Sequence, residues 1–287
     1  MNNLENALAY TERILKRYEL RAKKSLGQNF LIDDGVLAKI IEESGLEQGD
    51  NVLEIGPGTG SLTRGLLEKA GQMWAVELDD TLSEVLQEEF RPNPRLRIIH
   101  GDALELRLED LGLAQGEKLR LIANLPYYIT SPLINHFLDQ RGDLLSMTVM
   151  VQEEVAKRIC ADPGSKDYGI LSVAVQVYSR AKILFKVPAG AFLPAPKVSS
   201  AVVQLDILDE PRVALDREED FFQLVRAAFG QRRKTMVNSL SQGLGQDKAA
   251  LTAAVEMLGI SPMARAEVLS IEDFCRLTEL VFAQKQG

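Results

Sequence analysis

Short apolar runs alternate with helical patterns through the first half of the chain. The apolar runs predict strands over residues 51–55, 73–77, 96–100, 119–123 and 145–151. Helix-compatible stretches lie between them, at 61–70, 79–90 and 131–139. Strict alternation of strands and helices requires right-handed crossovers and a parallel sheet that helices cover on both faces. We therefore expect a doubly wound α/β fold.

The pattern changes twice after this alternating region. After a predicted helix near 152–160, the runs 171–177 and 201–207 flank the Pro/Gly-rich stretch 187–196, which predicts an antiparallel hairpin at the sheet edge. From Pro211 onward the strand signal stops and only helical periodicity remains. We therefore predict two domains, 1–209 and 210–287, the second small and all-helical.

An amphipathic helix is predicted at the N-terminus, over residues 3–19. Leu4, Leu8, Ile14 and Leu15 recur there at helical spacing. We expect this helix to lie against the first domain or over a cleft, and the sequence indicates nothing further about its role.

Composition points to a globular cytoplasmic protein. The chain has 287 residues, of which 46% are hydrophobic, and it shows neither a long apolar span nor a secretory leader pattern. The cysteines Cys160 and Cys275 are isolated, as are His100 and His136, so we expect no metal site and no disulfide.

Net charge argues mildly against nucleic-acid binding, but its distribution does not. The formal charge is -8, whereas phosphate contacts need a positive surface. Two segments are locally basic, 13–24 and 226–234. Each taken alone is explained equally well by the solvated face of a helix.

A glycine-rich turn follows the first predicted strand and opens a helix. Its sequence, from Glu54 to Gly60, has the spacing Gly-x-Gly-x-Gly, with Ser61 where a dinucleotide fingerprint has its last glycine. Glu54 is also expected to crowd a pyrophosphate with negative charge. S-adenosylmethionine, which has no phosphate and carries a sulfonium, suits Gly56 and Gly58 better than NAD, so the sheet is predicted to be of the Rossmann-like, class I methyltransferase type.

Acidic residues follow the next two strands. Glu77 is positioned to accept hydrogen bonds from both ribose hydroxyls, and Asp102 from the adenine amino group of the cofactor. Each acid alone also has a purely structural alternative, of which helix capping by Asp102 or by Asp79 is the obvious one. Suitable groups at successive strand ends favour a cofactor site.

The fourth strand is followed by Asn124-Leu125-Pro126-Tyr127-Tyr128. An adenine amino group is a poor nucleophile because its lone pair is delocalised, and acceptors for its two protons draw the nitrogen toward tetrahedral geometry. Asn124 and the Leu125 backbone offer such acceptors, while Pro126 has no N–H to compete. Tyr127 offers a stacking face for an extruded base. The alternative is a plain turn capped by Asn124.

A second aromatic lies in the proline-bracketed loop 192–198. Phe192 is placed to close a base sandwich from the opposite face, and a buried loop anchor is the alternative.

These motifs resemble the ribosomal RNA adenine dimethyltransferases, most closely the small-subunit branch associated with kasugamycin sensitivity. The matching stretches cover nearly the whole chain in order: 25–31, 54–60, 124–128, 192–200 and 228–235. Ala195 stands where that family often has proline, and the N-terminal helix is slightly long. Neither departure touches a residue with a predicted chemical role.

The resemblance implies a substrate, a cofactor and further site residues. It implies S-adenosylmethionine contacts from Asn29, Leu31, Gly56, Glu77, Asp102 and Asn124. The implied substrate is two adjacent adenosines in a hairpin loop near the 3′ end of 16S rRNA, each methylated twice on a partly assembled small subunit by a monomeric enzyme. Given that substrate, the residues predicted to contact rRNA phosphates are Arg21, Lys23, Lys24, Arg226, Arg232, Arg233 and Lys234.

Three alternatives remain open at this point. A 23S rRNA adenine methyltransferase of the macrolide-resistance type shares the fold and the turn, although segment 230–234 favours the small-subunit enzyme. A non-catalytic assembly or RNA-binding factor is disfavoured by the intact cofactor motifs. DNA-adenine and glutamine methyltransferases use a similar turn with proline at the position of Leu125.

Overall fold

The computed structural model describes residues 5–23, 26–231 and 233–283. Its strands are β1 (Phe30–Leu31), β2 (Asn51–Ile55), β3 (Gln72–Glu77), β4 (Leu96–His100), β5 (Leu119–Asn124), β6 (Leu144–Gln152), β7 (Ser179–Val187), β8 (Phe192–Leu193) and β9 (Ser200–Ile207). Its helices are α1 (Ala7–Arg17), α2 (Asp34–Glu43), α3 (Ser61–Leu66), α4 (Asp80–Glu89), α5 (Thr130–Asp139), α6 (Glu153–Ile159), α7 (Ile170–Gln176), α8 (Glu218–Phe229), α9 (Met236–Leu244), α10 (Lys248–Met257) and α11 (Ile271–Phe282).

A seven-stranded mixed sheet in the order β4-β3-β2-β5-β6-β9-β7 forms the centre of the first part of the chain. Neighbours from β4 to β6 pair in parallel, and β9 pairs antiparallel with β6. Strands β2 and β3 are almost entirely buried, as their continuous apolar runs require. The predicted doubly wound α/β fold is confirmed.

One predicted strand was wrong. Residues 171–177 were expected to form the first strand of the edge hairpin, but Ile170–Gln176 is helix α7, and the edge strand is Ser179–Val187. A seven-residue apolar run has the same appearance in a buried helix and in a buried strand. The other predicted member, 201–207, is strand β9, which lies between β6 and β7 in the sheet.

A two-stranded antiparallel sheet of β1 and β8 was not predicted. Phe30 pairs with Leu193, and Leu31 pairs with Phe192. Two-residue strands are too short to show any periodicity, so only the fold reveals this pairing. It fixes the chain on either side of Leu31, which was expected to contact the cofactor.

Helix α1 is shorter than the predicted range 3–19, of which residues 3 and 4 lie outside the described part. Asn6 caps its first turn through Ala9 N–H, and its buried face carries Tyr10, Thr11 and Ile14. The Thr11 hydroxyl is hydrogen-bonded at 3.2 Å to that of Thr59 and at 3.1 Å to that of Ser61. The helix therefore braces the glycine-rich turn from outside the sheet.

The chain forms two compact units. The first unit contains the chain up to Ala156 and the segment Arg180–Ile207. The second unit contains the segment Lys157–Ser179 and the chain from Leu208 onward. The predicted helical character of the C-terminal region is confirmed. Its core contains the edge-to-face pair Phe221 and Phe274, with ring centroids 6.4 Å apart. The assignment of 1–209 and 210–287 as functional domains stays a prediction.

No helix within the described ranges is long and apolar enough to cross a membrane.

Candidate active site

A pocket lies at the carboxyl ends of β2, β3 and β5, where ligands bind in open parallel sheets. Residues 26–31, which we call the N-terminal wall, line one side of it. Every residue predicted to contact the cofactor lines this pocket: Asn29, Leu31, Gly56, Gly58, Glu77, Asp102 and Asn124. Leu125, Pro126 and Tyr127 also line it. The fold thus brings the two predicted constellations together.

The glycine-rich turn needs its glycines for two reasons. Gly56, Gly58 and Gly60 have φ values of 65°, 59° and 90°, in the left-handed region that other residues rarely adopt. A Cβ atom on Gly58 would also lie 3.0 Å from the ring of Phe30 in the N-terminal wall. The turn therefore brings bare backbone to the pocket surface.

Glu77 ends β3 with its carboxylate buried at the pocket wall. Its Oε2 accepts a hydrogen bond from Gly58 N–H at 3.1 Å, and its Oε1 accepts one from Asp79 N–H at 2.9 Å. Burial raises the pKa of Glu77, and these N–H groups oppose that effect. A carboxylate can accept about four hydrogen bonds, so both oxygens retain capacity for the two hydroxyls of a ribose.

Asp102 and Asn29 both use part of their side chain locally. Asp102 Oδ1 accepts from Leu104 N–H at 2.9 Å within a turn, and no helix begins there, so Asp102 is not the helix cap that was the alternative. Asn29 Nδ2 donates to the Gly27 carbonyl at 2.8 Å. These local bonds fix both side chains in a pocket whose carboxylates, amide and bare backbone fit an adenosine-bearing cofactor.

The argument that the negative charge of Glu54 disfavours a pyrophosphate does not hold near neutral pH. Its side chain is fully buried, and its Oε2 accepts a hydrogen bond from the Thr63 hydroxyl at 2.6 Å. Burial raises the pKa of Glu54 to about 8, so this carboxyl is mostly protonated near neutral pH. The spacing of the glycines, with Ser61 in place of the last glycine of a dinucleotide fingerprint, still disfavours a dinucleotide.

Asn124 is the last residue of β5, and its amide is oriented by the N-terminal wall. Asn124 Nδ2 donates to the Asn29 main-chain carbonyl at 3.2 Å. Because the nitrogen is used in this bond, the side-chain oxygen is the group left to accept from a substrate. Leu125 N–H donates to the Met150 carbonyl at 3.1 Å and ties the turn to β6.

The two tyrosines of the turn differ in their surroundings. The Tyr127 hydroxyl is hydrogen-bonded to that of Ser200 on β9 at 2.6 Å, and burial raises the pKa of Tyr127. The bond holds its half-buried ring in one orientation. Tyr128 is 54% exposed and lines the pocket next to Gly27. From the sequence no role was predicted for Tyr128, Gln28 or Phe30. All three lie in stretches that resemble the adenine dimethyltransferases, and this was the signal that could have placed them at the site.

Phe192 is not among the residues that line the pocket. It is 3% exposed, lies in the hydrophobic cluster that includes Leu31, Leu37 and Met150, and pairs with Leu31 across β1 and β8. This position favours the loop-anchor alternative over base stacking, which stays a prediction.

The basic residues predicted to contact RNA are mostly exposed. Arg21, Arg226, Arg233 and Lys234 are exposed, whereas Lys24 and Arg232 lie outside the described residues. Lys23 is also exposed, but its ammonium is 2.9 Å from Asp79 Oδ1. Lys23 is therefore engaged within the protein.

Comparison with known proteins identifies the family. The model of the ribosomal RNA adenine dimethylase family matches residues 19–282, which is most of the chain. The chain belongs to this family. It is accordingly an S-adenosylmethionine-dependent methyltransferase, as the cofactor motifs predicted.

Curated relatives and solved structures agree with this assignment. The chain is 50% identical over 279 residues to ribosomal RNA small subunit methyltransferase A of Desulfitobacterium hafniense, covering 97% of this chain and 98% of the relative. It is 46% identical over 267 residues to the protein of the same name from Alkaliphilus oremlandii, covering 92% and 93%.

Two solved structures share both fold and detectable sequence. A dimethyladenosine transferase from Plasmodium falciparum aligns with a TM-score of 0.73 and 27% identity, over 88% of this chain and 97% of that one. The 23S rRNA methyltransferase ErmE aligns with a TM-score of 0.70 and 27% identity, over 88% of this chain and 99% of that one.

Within residues 5–23, 26–231 and 233–283, no group of His, Cys, Asp or Glu side chains is arranged to hold a metal ion.

Proposed function

We propose that this protein transfers methyl groups from S-adenosylmethionine to N6 of two adjacent adenosines in a hairpin loop near the 3′ end of 16S rRNA, giving N6,N6-dimethyladenosines. The observation that carries the proposal is the orientation of Asn124, whose amide nitrogen is bound to the Asn29 carbonyl in the pocket that Glu77 also lines. The names of the curated relatives support the small subunit as the source of the RNA.

The cofactor is bound by groups from five segments of the pocket. Glu77 accepts from the ribose hydroxyls, and Asp102 accepts from the adenine amino group. Gly56 and Gly58 let the backbone approach closely. Asn29 and Leu31 contact the cofactor from the N-terminal wall, and Asn124 contacts it from the end of β5. The bound cofactor supplies a methyl group on a sulfonium that is an excellent leaving group.

The turn after β5 prepares the acceptor nitrogen. Asn124 Oδ1 and the Leu125 carbonyl accept the two N–H bonds of the extruded adenine and draw the nitrogen lone pair out of conjugation. Pro126 contributes no competing N–H, and Tyr127 stacks on the base. The proton leaves the nitrogen after methyl transfer, so positioning and electrostatics are the main contributions and no general base with a shifted pKa is needed.

RNA is bound in part by the two basic segments. Arg226, Arg233 and Lys234 in the helical domain contact rRNA phosphates, as does Arg21 in the first domain. Lys24 and Arg232, outside the described residues, belong to the same prediction. We infer that the enzyme acts as a monomer on a partly assembled small subunit in the cytoplasm, where ribosomal subunits are assembled. Residues 1–209 carry catalysis, and residues 210–287 carry RNA binding.

A 23S rRNA methyltransferase is the second candidate, because the fold matches ErmE nearly as well as the dimethyladenosine transferase. The proposed pocket holds only the adenine that is methylated, and both candidate enzymes methylate adenine. The geometry of the pocket therefore fits either candidate. They differ in which RNA reaches the pocket.

Labelled methyl transfer distinguishes these candidates. Small subunits from a strain lacking the activity are incubated with the protein and labelled S-adenosylmethionine, and the nucleosides are then separated. Dimethyladenosine at two adjacent positions is the expected product. Transfer only to large-subunit RNA would support the second candidate, and no transfer with intact cofactor binding would indicate a non-catalytic assembly factor.

A further inference from the structure

Asp79 lies two residues beyond Glu77 and binds more groups than a helix cap needs. Its Oδ1 accepts the backbone N–H bonds of Thr81 and Leu82 at the start of α4, as a capping residue does. The same carboxylate also accepts from Lys23 Nζ at 2.9 Å and from Gln28 Nε2 at 2.9 Å. Gln28 belongs to the N-terminal wall, and Lys23 precedes the wall in the sequence.

Lys23, Gln28 and Asp79 close a ring of hydrogen bonds that includes the Lys23 backbone N–H. Gln28 Oε1 accepts from the backbone N–H of Lys23 at 2.8 Å, while its amide nitrogen binds Asp79. Gln28 lies between Gly27 and Asn29 in the N-terminal wall. Asp79 N–H in turn donates to Glu77 Oε1 at 2.9 Å. The ring therefore joins the wall to Asp79, whose backbone is hydrogen-bonded to Glu77, the proposed ribose acceptor.

A bond on the other side of Gln28 extends this connection toward the methyl acceptor. The Asn29 carbonyl accepts from Asn124 Nδ2 at 3.2 Å. One short segment is thus attached to both the cofactor side and the substrate side of the pocket.

We propose that Lys23, Gln28 and Asp79 are positioning residues, a group we call the Asp79 cluster, that hold the N-terminal wall against the end of β3 so that the cofactor meets a preformed site. In this role Lys23 serves the cofactor pocket and not an RNA phosphate. The inference rests on the proposed assignment of the pocket, and it adds residues that neither the cofactor motif nor the catalytic turn contains.

Burial makes the Lys23 ammonium important to Asp79. The Asp79 side chain is 2% exposed and that of Lys23 is 46% exposed, so the lysine brings charge compensation from the surface to a buried carboxylate. Burial raises the pKa of Asp79, but the hydrogen bonds from Lys23 and Gln28, with that from Leu82, outweigh it and hold the pKa below its ordinary value. Asp80 lies 3.7 Å from the same ammonium but is mostly exposed.

The test replaces Lys23 and measures cofactor binding and RNA binding separately. Lys23→Met keeps the aliphatic stem and removes the charge. In Lys23→Met we expect the Kd and KM for S-adenosylmethionine to rise roughly tenfold, which corresponds to about 1.4 kcal/mol of binding free energy. At saturating cofactor, kcat should stay within about twofold of the wild-type value. Lys23→Arg keeps the positive charge and should retain most of the affinity. Affinity for small subunits and its salt dependence should not change. Lys16→Met, an exposed lysine on α1, is the matched control.

Two results would overturn the inference. Unchanged Kd and KM in Lys23→Met, with weaker and less salt-dependent subunit binding, would return Lys23 to the RNA-contact role. Equal loss of affinity in Lys23→Met and Lys23→Arg would show that charge compensation is not the cause.

Glu77→Ala separates this inference from the assignment of the pocket. If Glu77→Ala weakens cofactor binding and Lys23→Met does not, only the Asp79 cluster fails. If Glu77→Ala also leaves the Kd unchanged, the assignment of the pocket itself fails. Thermal melting of each variant checks that the binding measurements are made on folded protein.

Discussion

The Asn124 amide nitrogen donates a hydrogen bond to the Asn29 main-chain carbonyl across 3.2 Å. Asn124 ends a central strand, whereas Asn29 precedes a two-residue strand that is 95 positions away in the sequence. The bond decides which end of the Asn124 amide faces a substrate. It therefore relates the N-terminal wall to the chemistry of methyl transfer.

Replacing Asn124 should abolish most methyl transfer without affecting RNA binding. Asn124→Ala removes an acceptor for the adenine amino group, and the absence of such an acceptor typically lowers kcat on the order of a hundredfold or more. Asn124→Asp should be similarly impaired, because its carboxylate would repel the Asn29 carbonyl. Single-turnover transfer and subunit binding are measured on the same preparations. Transfer by Asn124→Ala at close to the wild-type rate would contradict the proposed role.

The basic residues at the end of α8 should contribute to rRNA affinity through phosphate contacts. Replacing Arg226, Arg233 and Lys234 with alanine should weaken subunit binding and make its salt dependence less steep. The log–log slope should change by roughly 0.7–0.9 for each phosphate that the variant no longer neutralises. Filter binding over a salt series measures both quantities.

The control for that experiment removes the same number of positive charges elsewhere in the helical unit. Lys248, Arg265 and Arg276 are exposed and lie outside the basic segment. Their combined replacement should leave the salt slope near the wild-type value. The same slope in both triple variants would mean that net charge, and not this surface, governs binding.

The buried Glu54 carboxyl should make stability depend on pH. Its pKa is raised from the ordinary value of 4.5 to about 8 by burial, so the folded protein retains a proton that the unfolded chain releases. The free energy of unfolding should fall as pH rises through this window, by up to about 1.4 kcal/mol per unit. Glu54→Gln has no proton to release, so its Tm should rise relative to wild type from pH 5 to pH 9.

Glu84→Gln is the control for the pH series, because Glu84 is an exposed residue of α4. Its melting temperature should follow the wild-type curve at every pH. Parallel curves for wild type and Glu54→Gln would show that Glu54 does not hold its proton in the folded state.

Phe192 should act on stability more than on catalysis. Phe192→Ala removes a buried ring beside Leu31 and should lower the free energy of unfolding by about 3–5 kcal/mol. The milder Phe192→Leu should leave kcat for small subunits within about twofold of wild type when assayed well below its Tm. A large loss of kcat in Phe192→Leu with little change in Tm would instead restore the stacking role.

The sequence by itself determined the alternating β/α order and hence the edge of the sheet at which Glu77, Asp102 and Asn124 meet. These predictions succeeded because periodicity and glycine positions are local properties, and because parallel strands place their carboxyl ends on one side. The tertiary structure decided what surrounds those groups. It pairs Lys23 with Asp79, buries the Glu54 carboxyl and thereby raises its pKa, and buries the Phe192 ring. Contacts between distant segments and the loss of solvent depend on the whole packed fold, which no local pattern records.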